Sequence, residues 1–139
     1  MKSPILHLTV LLLIFTGNLF SPAVAQNQNT ENFSGLEGKK CKIQIVNKIK
    51  FTEKKTDVLT FSLNDFNSEL CKNGDMNLIF KNIFADKGIK YFLLEFKSEH
   101  NQRIMWEGQI EKNKLNGTMT FINGNKIPIS YLFEGEISK

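Results

Sequence analysis

Little in this chain suits catalysis. Of its 139 residues only two are histidine and one is tryptophan. His7 falls within an apolar N-terminal stretch, and His100 falls in the polar run 98–102, where it reads as a solvated turn residue. No HExxH pattern, paired-cysteine zinc spacing or glycine-rich phosphate loop occurs. No serine or cysteine stands beside a plausible histidine–acid pair. Glu107 with Glu111, and Glu134 with Glu136, share strand parities, but these are the outward ones, where water is the expected neighbour. Asp75 and Asn77 lie near a turn that matches no EF-hand loop. An enzyme is therefore the least favoured class, and no metal or cofactor is expected.

Cysteine is also scarce. The two residues, Cys41 and Cys71, are 30 positions apart, with no CxxC and no histidine cluster to suggest redox or metal chemistry. In an oxidising compartment such a pair is expected to form a disulfide, worth roughly 3–4 kcal/mol by chain-entropy reasoning.

Long apolar runs are limited to one. It spans residues 5–15, follows the single cation Lys2, is broken by Gly17 and Pro22, and ends in Ala23-Val24-Ala25. This is the pattern of a secretory signal peptide with cleavage after Ala25, and the run is shorter than the roughly 20 residues a spanning helix needs. The expected division is a signal peptide over 1–25, a disordered polar spacer over 26–34 and a single folded domain over 35–139. Export to the periplasm or the extracellular space follows, with no membrane span after cleavage.

Strong net charge is absent too. The full chain has 18 Lys and Arg against 14 Asp and Glu, and loss of Lys2 leaves 17 against 14. A mild excess of this kind argues against a nucleic-acid partner. The cations are unevenly spread, however. Lys39, Lys40, Lys42, Lys48, Lys50, Lys54 and Lys55 cluster with only Glu53 opposing them. Lys48, Lys50, Lys54 and Lys55 mark a candidate surface patch in a lysine-rich loop over 47–55, suited to an anionic surface, a polysaccharide or an acidic protein.

What the chain does have is alternation. Ile104, Trp106, Gly108 and Ile110 share one parity against Glu107, Gln109 and Glu111, the period-two signature of a half-buried strand. Residues 126–137 place Ile127, Ile129, Tyr131, Phe133 and Ile137 together, and residues 114–122 do the same with Leu115, Met119 and Phe121. Further strands are expected over 40–46, 56–63, 65–71, 76–84 (with Met76, Leu78, Phe80 and Phe84 on one face) and 91–98. Only residues 77–86 offer an alternative short helix. Between the strands lie short Asn-, Asp- and Gly-bearing turns such as Asp86-Lys87-Gly88 and Asn123-Gly124-Asn125.

Eight strands joined by tight turns predict an all-β antiparallel up-and-down barrel, with a β-sandwich as the alternative. Gly108, Gly117 and Gly135 fall on inward parity, where close backbone approach is expected. Pro128 is expected inside the last strand, with a bulge or weak pairing.

Six short pieces carry a resemblance: Leu36-Glu37-Gly38-Lys39, Leu59-Thr60-Phe61, Phe66 to Cys71, Trp106 to Ile110, Leu115 to Thr118 and Tyr131 to Gly135. In this order and spacing the chain resembles a family of small secreted bacterial proteins of lipocalin-like character. The resemblance implies a calycin-like barrel and supplies no activity.

These readings predict a non-enzymatic binding protein holding a small apolar ligand in the barrel. The expected lining is Phe61, Phe92, Phe96, Trp106, Phe121, Tyr131 and Phe133. The alternative is a module that binds an extracytoplasmic protein, such as a periplasmic hydrolase inhibitor using the lysine-rich loop.

Overall fold

The computed structural model describes residues 31–72 and 75–138. The expected signal peptide lies outside the described residues, as does the part of the expected spacer before residue 31. Among the described residues no helix is long and apolar enough to cross a membrane.

Eight strands follow in chain order: β1 (Lys40–Asn47), β2 (Lys54–Phe61), β3 (Phe66–Ser68), β4 (Asn77–Asp86), β5 (Ile89–Lys97), β6 (Gln102–Glu111), β7 (Lys114–Asn123) and β8 (Ile129–Ile137). A four-residue helical turn, α1 (Glu69–Lys72), joins β3 to β4. All pairings are antiparallel and the order across the sheet is β3-β2-β1-β8-β7-β6-β5-β4. Every strand thus lies beside its neighbours in sequence, and β8 returns to pair with β1. Only β3 and β4 do not pair. The result is the expected all-β, barrel-like meander: one curled sheet, a half-barrel with a seam between its two edge strands.

The β4–β5 and β6–β7 connections are two-residue turns in which Lys87 (φ 50°) and Lys112 (φ 57°) take the left-handed conformation. A non-glycine residue there costs about 1–2 kcal/mol, so the ladders on either side hold these turns in place.

The seam is bridged by chain from outside the sheet. Phe33 N–H donates to the Leu63 carbonyl (2.8 Å), and Lys90 Nζ donates to the Asn32 carbonyl. The N-terminal segment therefore ties the β2–β3 loop to β5. Lys81 Nζ of β4 reaches Asn64 Oδ1 (2.9 Å) across the same gap. The expectation of a disordered spacer reaching to residue 34 is corrected at this point, because Phe33 is completely buried. Burial of the ring and the hydrogen bonds of Phe33 and Asn32 together offset the cost of ordering this short segment.

Three other expectations change. Leu78 pairs with Phe96 and Phe80 with Glu95, so Ile79 is an extra residue in β4. This bulge reverses the parity beyond it. Ile83 turns into the core, while Phe80 and Phe84 face outward and Phe84 stacks on Tyr91 at 5.0 Å. Residues 65–71 form only a three-residue strand before turning into α1. Pro128 precedes β8 instead of lying within it, and the β7–β8 ladder starts at Ile129; a residue with no N–H marks where a ladder can begin.

Inside the curl the rings pack edge-to-face. Phe33–Phe61 centroids are 5.2 Å apart, Phe66–Phe92 5.6 Å, Phe66–Trp106 5.4 Å and Trp106–Phe133 5.1 Å. Such pairs add to the gain from burial itself. The glycine expectation holds. Gly108 and Gly117 face each other across β6 and β7. A Cβ on Gly117 would lie 2.1 Å from the Glu107 carbonyl oxygen and 2.8 Å from the Phe133 ring, so the space a side chain would need is taken by neighbouring backbone and the Phe133 ring.

Candidate functional site

Chain direction assigns every loop to one of two ends. The residue 31–39 segment, the β2–β3 loop and the β4–β5 and β6–β7 turns gather at one end, which Phe33 seals. The β1–β2 loop, α1, the β5–β6 turn and the β7–β8 loop gather at the other. At that second end lies a cleft of about 360 Å³. Its walls are inward-facing residues from near the strand ends: Ile45, Ile104, Met119, Phe121, Ile129 and Tyr131, joined by Leu70 of α1 and Met76. Gln102 and Lys55 complete the lining, as its one amide and its one cationic side chain. Lys55 is exposed and makes no ion pair among the described residues. Larger grooves, about 540 and 530 Å³, lie on the outside of the sheet among outward polar side chains such as Lys42, Glu134, Asn82 and Gln109. The end cleft is the smaller space, but it combines inward apolar walls with a single cation, as these two grooves do not.

The seven residues expected to line a ligand site separate into two groups. Phe121 and Tyr131 do line the cleft. Phe61, Phe92, Phe96, Trp106 and Phe133 are at most 5% exposed and form the packed core. Rings of this size fill an eight-stranded interior, leaving room only toward the open end. Alternation had put Ile45, Ile104 and Met119 on inward parities without marking them as site residues; inward parity near a strand end, on the side opposite Phe33, is the signal that distinguishes them. Lys48, Lys50, Lys54 and Lys55 are all exposed around the same end.

Beneath Lys55, one inward step along β2, Asp57 is buried. Its Oδ1 accepts from the Val58 and Glu69 backbone N–H groups (2.7 and 3.0 Å), and its Oδ2 accepts from Ser68 Oγ. Ser68 Oγ in turn accepts from Cys71 N–H (3.2 Å). The carboxylate is thus spent on closing α1 against β2. Among the described residues no histidine stands beside Ser68, and His100 lies in the exposed β5–β6 turn. Among the described residues no three His, Cys, Asp or Glu groups converge as metal ligands do.

The expected Cys41–Cys71 disulfide is corrected: both are free, buried thiols. Cys41 is the second residue of β1 and abuts Gly135 of β8, whereas Cys71 lies on α1 beside Ser68. Cys41 is in register with Leu59, and Leu59 with Ser68. Two strand spacings, about 10 Å, therefore separate Cys41 from Ser68, the residue that leads into α1. Burial, reinforced by the charge of Glu136, pushes the Cys41 thiol up to about 11. Burial also raises Cys71, with Asp57 adding to it and the Ser68 hydroxyl and Trp106 indole opposing. The indole contact is weak, since Trp106 Nε1 is buried without a hydrogen bond of sound geometry. Thiols held neutral in this way are poor nucleophiles and poor metal ligands.

Comparison with family models, with curated proteins and with solved structures gave no match. Among the described residues, the open-end cleft brings apolar walls and the Lys55 side chain together.

Proposed function

We propose that this is an exported, non-enzymatic binding protein of lipocalin-like character that takes the apolar part of a small amphiphile into the open-end cleft. The observation that carries this reading is the cleft itself: about 360 Å³ of space walled by Ile45, Ile104, Met119, Phe121 and Tyr131, with Lys55 as its only cation. A volume of this size holds a ring system or a short chain rather than a whole long lipid. Lys55 meets an anionic or hydrogen-bond-accepting head at the lip. The apolar N-terminal stretch ending at Ala25 supports export.

Fluorescent probes test the reading. Neutral 1-aminoanthracene and anionic anilinonaphthalene sulfonate are titrated into the protein and into two variants. Met119→Trp fills the cleft and is expected to weaken both probes about tenfold or more, equivalent to about 1.4 kcal/mol. Lys55→Glu is expected to weaken the sulfonate up to about fivefold, within the range of an exposed ion pair, while leaving the neutral probe unchanged. Equal binding of both probes by wild type and Met119→Trp would overturn the proposal.

A further inference from the structure

The three most exposed large apolar side chains in the described structure are Ile127 (89%), Ile49 (87%) and Phe51 (65%). They belong to the β1–β2 and β7–β8 loops, whose strands are neighbours: β1 pairs with β8, and Lys48 N–H donates to the Ser130 carbonyl (3.0 Å). Three apolar tips therefore stand on one lip of the open end. Isolated exposed apolar residues are ordinary, but three on two adjacent loop tips form a patch that asks for a partner.

The β1–β2 loop is built to hold its tips out. Asn47 Oδ1 accepts from the Ile49 and Lys50 N–H groups (2.9 and 3.0 Å), and Asn47 Nδ2 donates to Glu53 Oε2 (3.2 Å). Lys50 Nζ lies 3.4 Å from Glu53 Oε1. The one acid of this lip is thus occupied, while Lys48, Lys54, Lys55 and Lys126 are exposed around the tips without an ion pair among the described residues. The far side of the same end differs: there Glu69, Asp75 and Glu99 outnumber the cations Lys72 and Lys97. The charge is polarised toward the two loops with the apolar tips.

We propose that this lip docks on an anionic lipid bilayer, with Ile49, Phe51 and Ile127 entering the headgroup region and the surrounding lysines contacting lipid phosphates. Apolar residues at the tips of ordered loops, ringed by unpaired ammonium groups, match an interface that is apolar a few ångströms down and negative at its surface. An acidic protein surface would use the lysines but gains little from tips aimed outward. The acids on the far side tilt the molecule so that the lip, and the cleft mouth at Lys55 and Ile129, meet the bilayer first. This docking does not depend on what fills the cleft.

The test is flotation of the exported protein with phosphatidylcholine vesicles, with and without phosphatidylglycerol, at low and high salt. Binding to the phosphatidylglycerol vesicles is expected to be at least about tenfold tighter than to the neutral ones and to fall steeply with salt. Ile49→Ser/Phe51→Ser/Ile127→Ser is expected to lose about tenfold. Its fold, checked by circular dichroism, should be intact because these side chains touch solvent. Each Lys→Glu change at Lys48, Lys54 or Lys126 is expected to cost at least about fivefold. A tryptophan placed by Phe51→Trp should be quenched by brominated lipid. Equal binding to neutral and anionic vesicles, or no binding to either, overturns the proposal. So does full retention of binding by the triple serine variant; if soluble poly-glutamate also binds that variant as well as wild type, the lip recognises an acidic polymer instead. None of these readouts involves the probes that test the cleft.

Discussion

The two ends of the barrel are made from the same alternating strands yet have opposite characters. At one end Phe33 comes from outside the sheet and packs on Phe61 and Phe92 at 5.2 and 5.8 Å, with hydrogen bonds closing the seam behind it. At the other no ring among the described residues plays this part, and the inward side chains Ile45, Met119, Phe121 and Tyr131 border open space. The periodicity that makes a strand bury one face acts equally at both ends. What separates them is whether a flanking segment supplies a plug. Here the N-terminal segment does so at one end only, and the unfilled end acquires the cleft, the free ammonium and the exposed loop tips.

The largest expected consequence of this contrast is in stability. Phe33→Ala removes a fully buried ring and is expected to cost about 3–5 kcal/mol. Phe121→Ala, at the half-buried cleft wall, is expected to cost about 1 kcal/mol. Urea unfolding measures both, and equal losses would erase the distinction between the ends.

A smaller effect is expected where α1 is tied down beside the cleft. Ser68→Ala leaves Asp57 Oδ2 and the Cys71 N–H without their partner, at a cost of about 1–3 kcal/mol. Hydrogen exchange should quicken at α1 while β6 to β8 keep their protection. A uniform rise across the sheet would show that α1 is not a separate element of the open end.

The thiols sharpen the contrast further. Cys71 (5% exposed), on α1, is expected to react with a thiol reagent before Cys41 (0%), and both only slowly until the protein unfolds. The Cys41 thiol titrates at about 11 in the folded chain against an ordinary 9.0. Between those values the unfolded chain releases a proton that the folded chain retains. The contribution of Cys41 is therefore fully present below pH 9 and is lost as pH rises toward 11. Denaturing mass spectrometry that finds two hydrogens missing would contradict the free thiols. Least of all, Lys81→Ala breaks a single exposed contact across the seam and is expected to cost under about 1 kcal/mol, visible mainly as faster exchange along β4.

Much of the sheet was legible because β6 to β8 alternate cleanly and are separated by turn residues. The Ile79 bulge was not legible: one extra residue in an apolar run leaves no mark on its period, yet it exchanges Ile83 for Phe80 and Phe84 in the core. Phe33 escaped for a related reason, since a lone ring among polar neighbours has no periodicity to announce burial. The free cysteines show that spacing along the chain does not fix distance across a sheet. Parity correctly turned Trp106 and Phe133 inward, but parity cannot tell a filled core from a lined cavity. That depends on depth along the strand and on the plug, which is why only Phe121 and Tyr131 of the expected lining reach the cleft.

The central claim is that ligand enters at the unplugged end. Backbone amide chemical shifts, recorded as 1-aminoanthracene is added, test it most directly. The account predicts shifts at Ile45, Ile104, Met119 and Tyr131, with Phe33, Phe61 and Leu63 unmoved. Shifts centred on Phe33, or on the outer groove at Asn82 and Gln109, would contradict it.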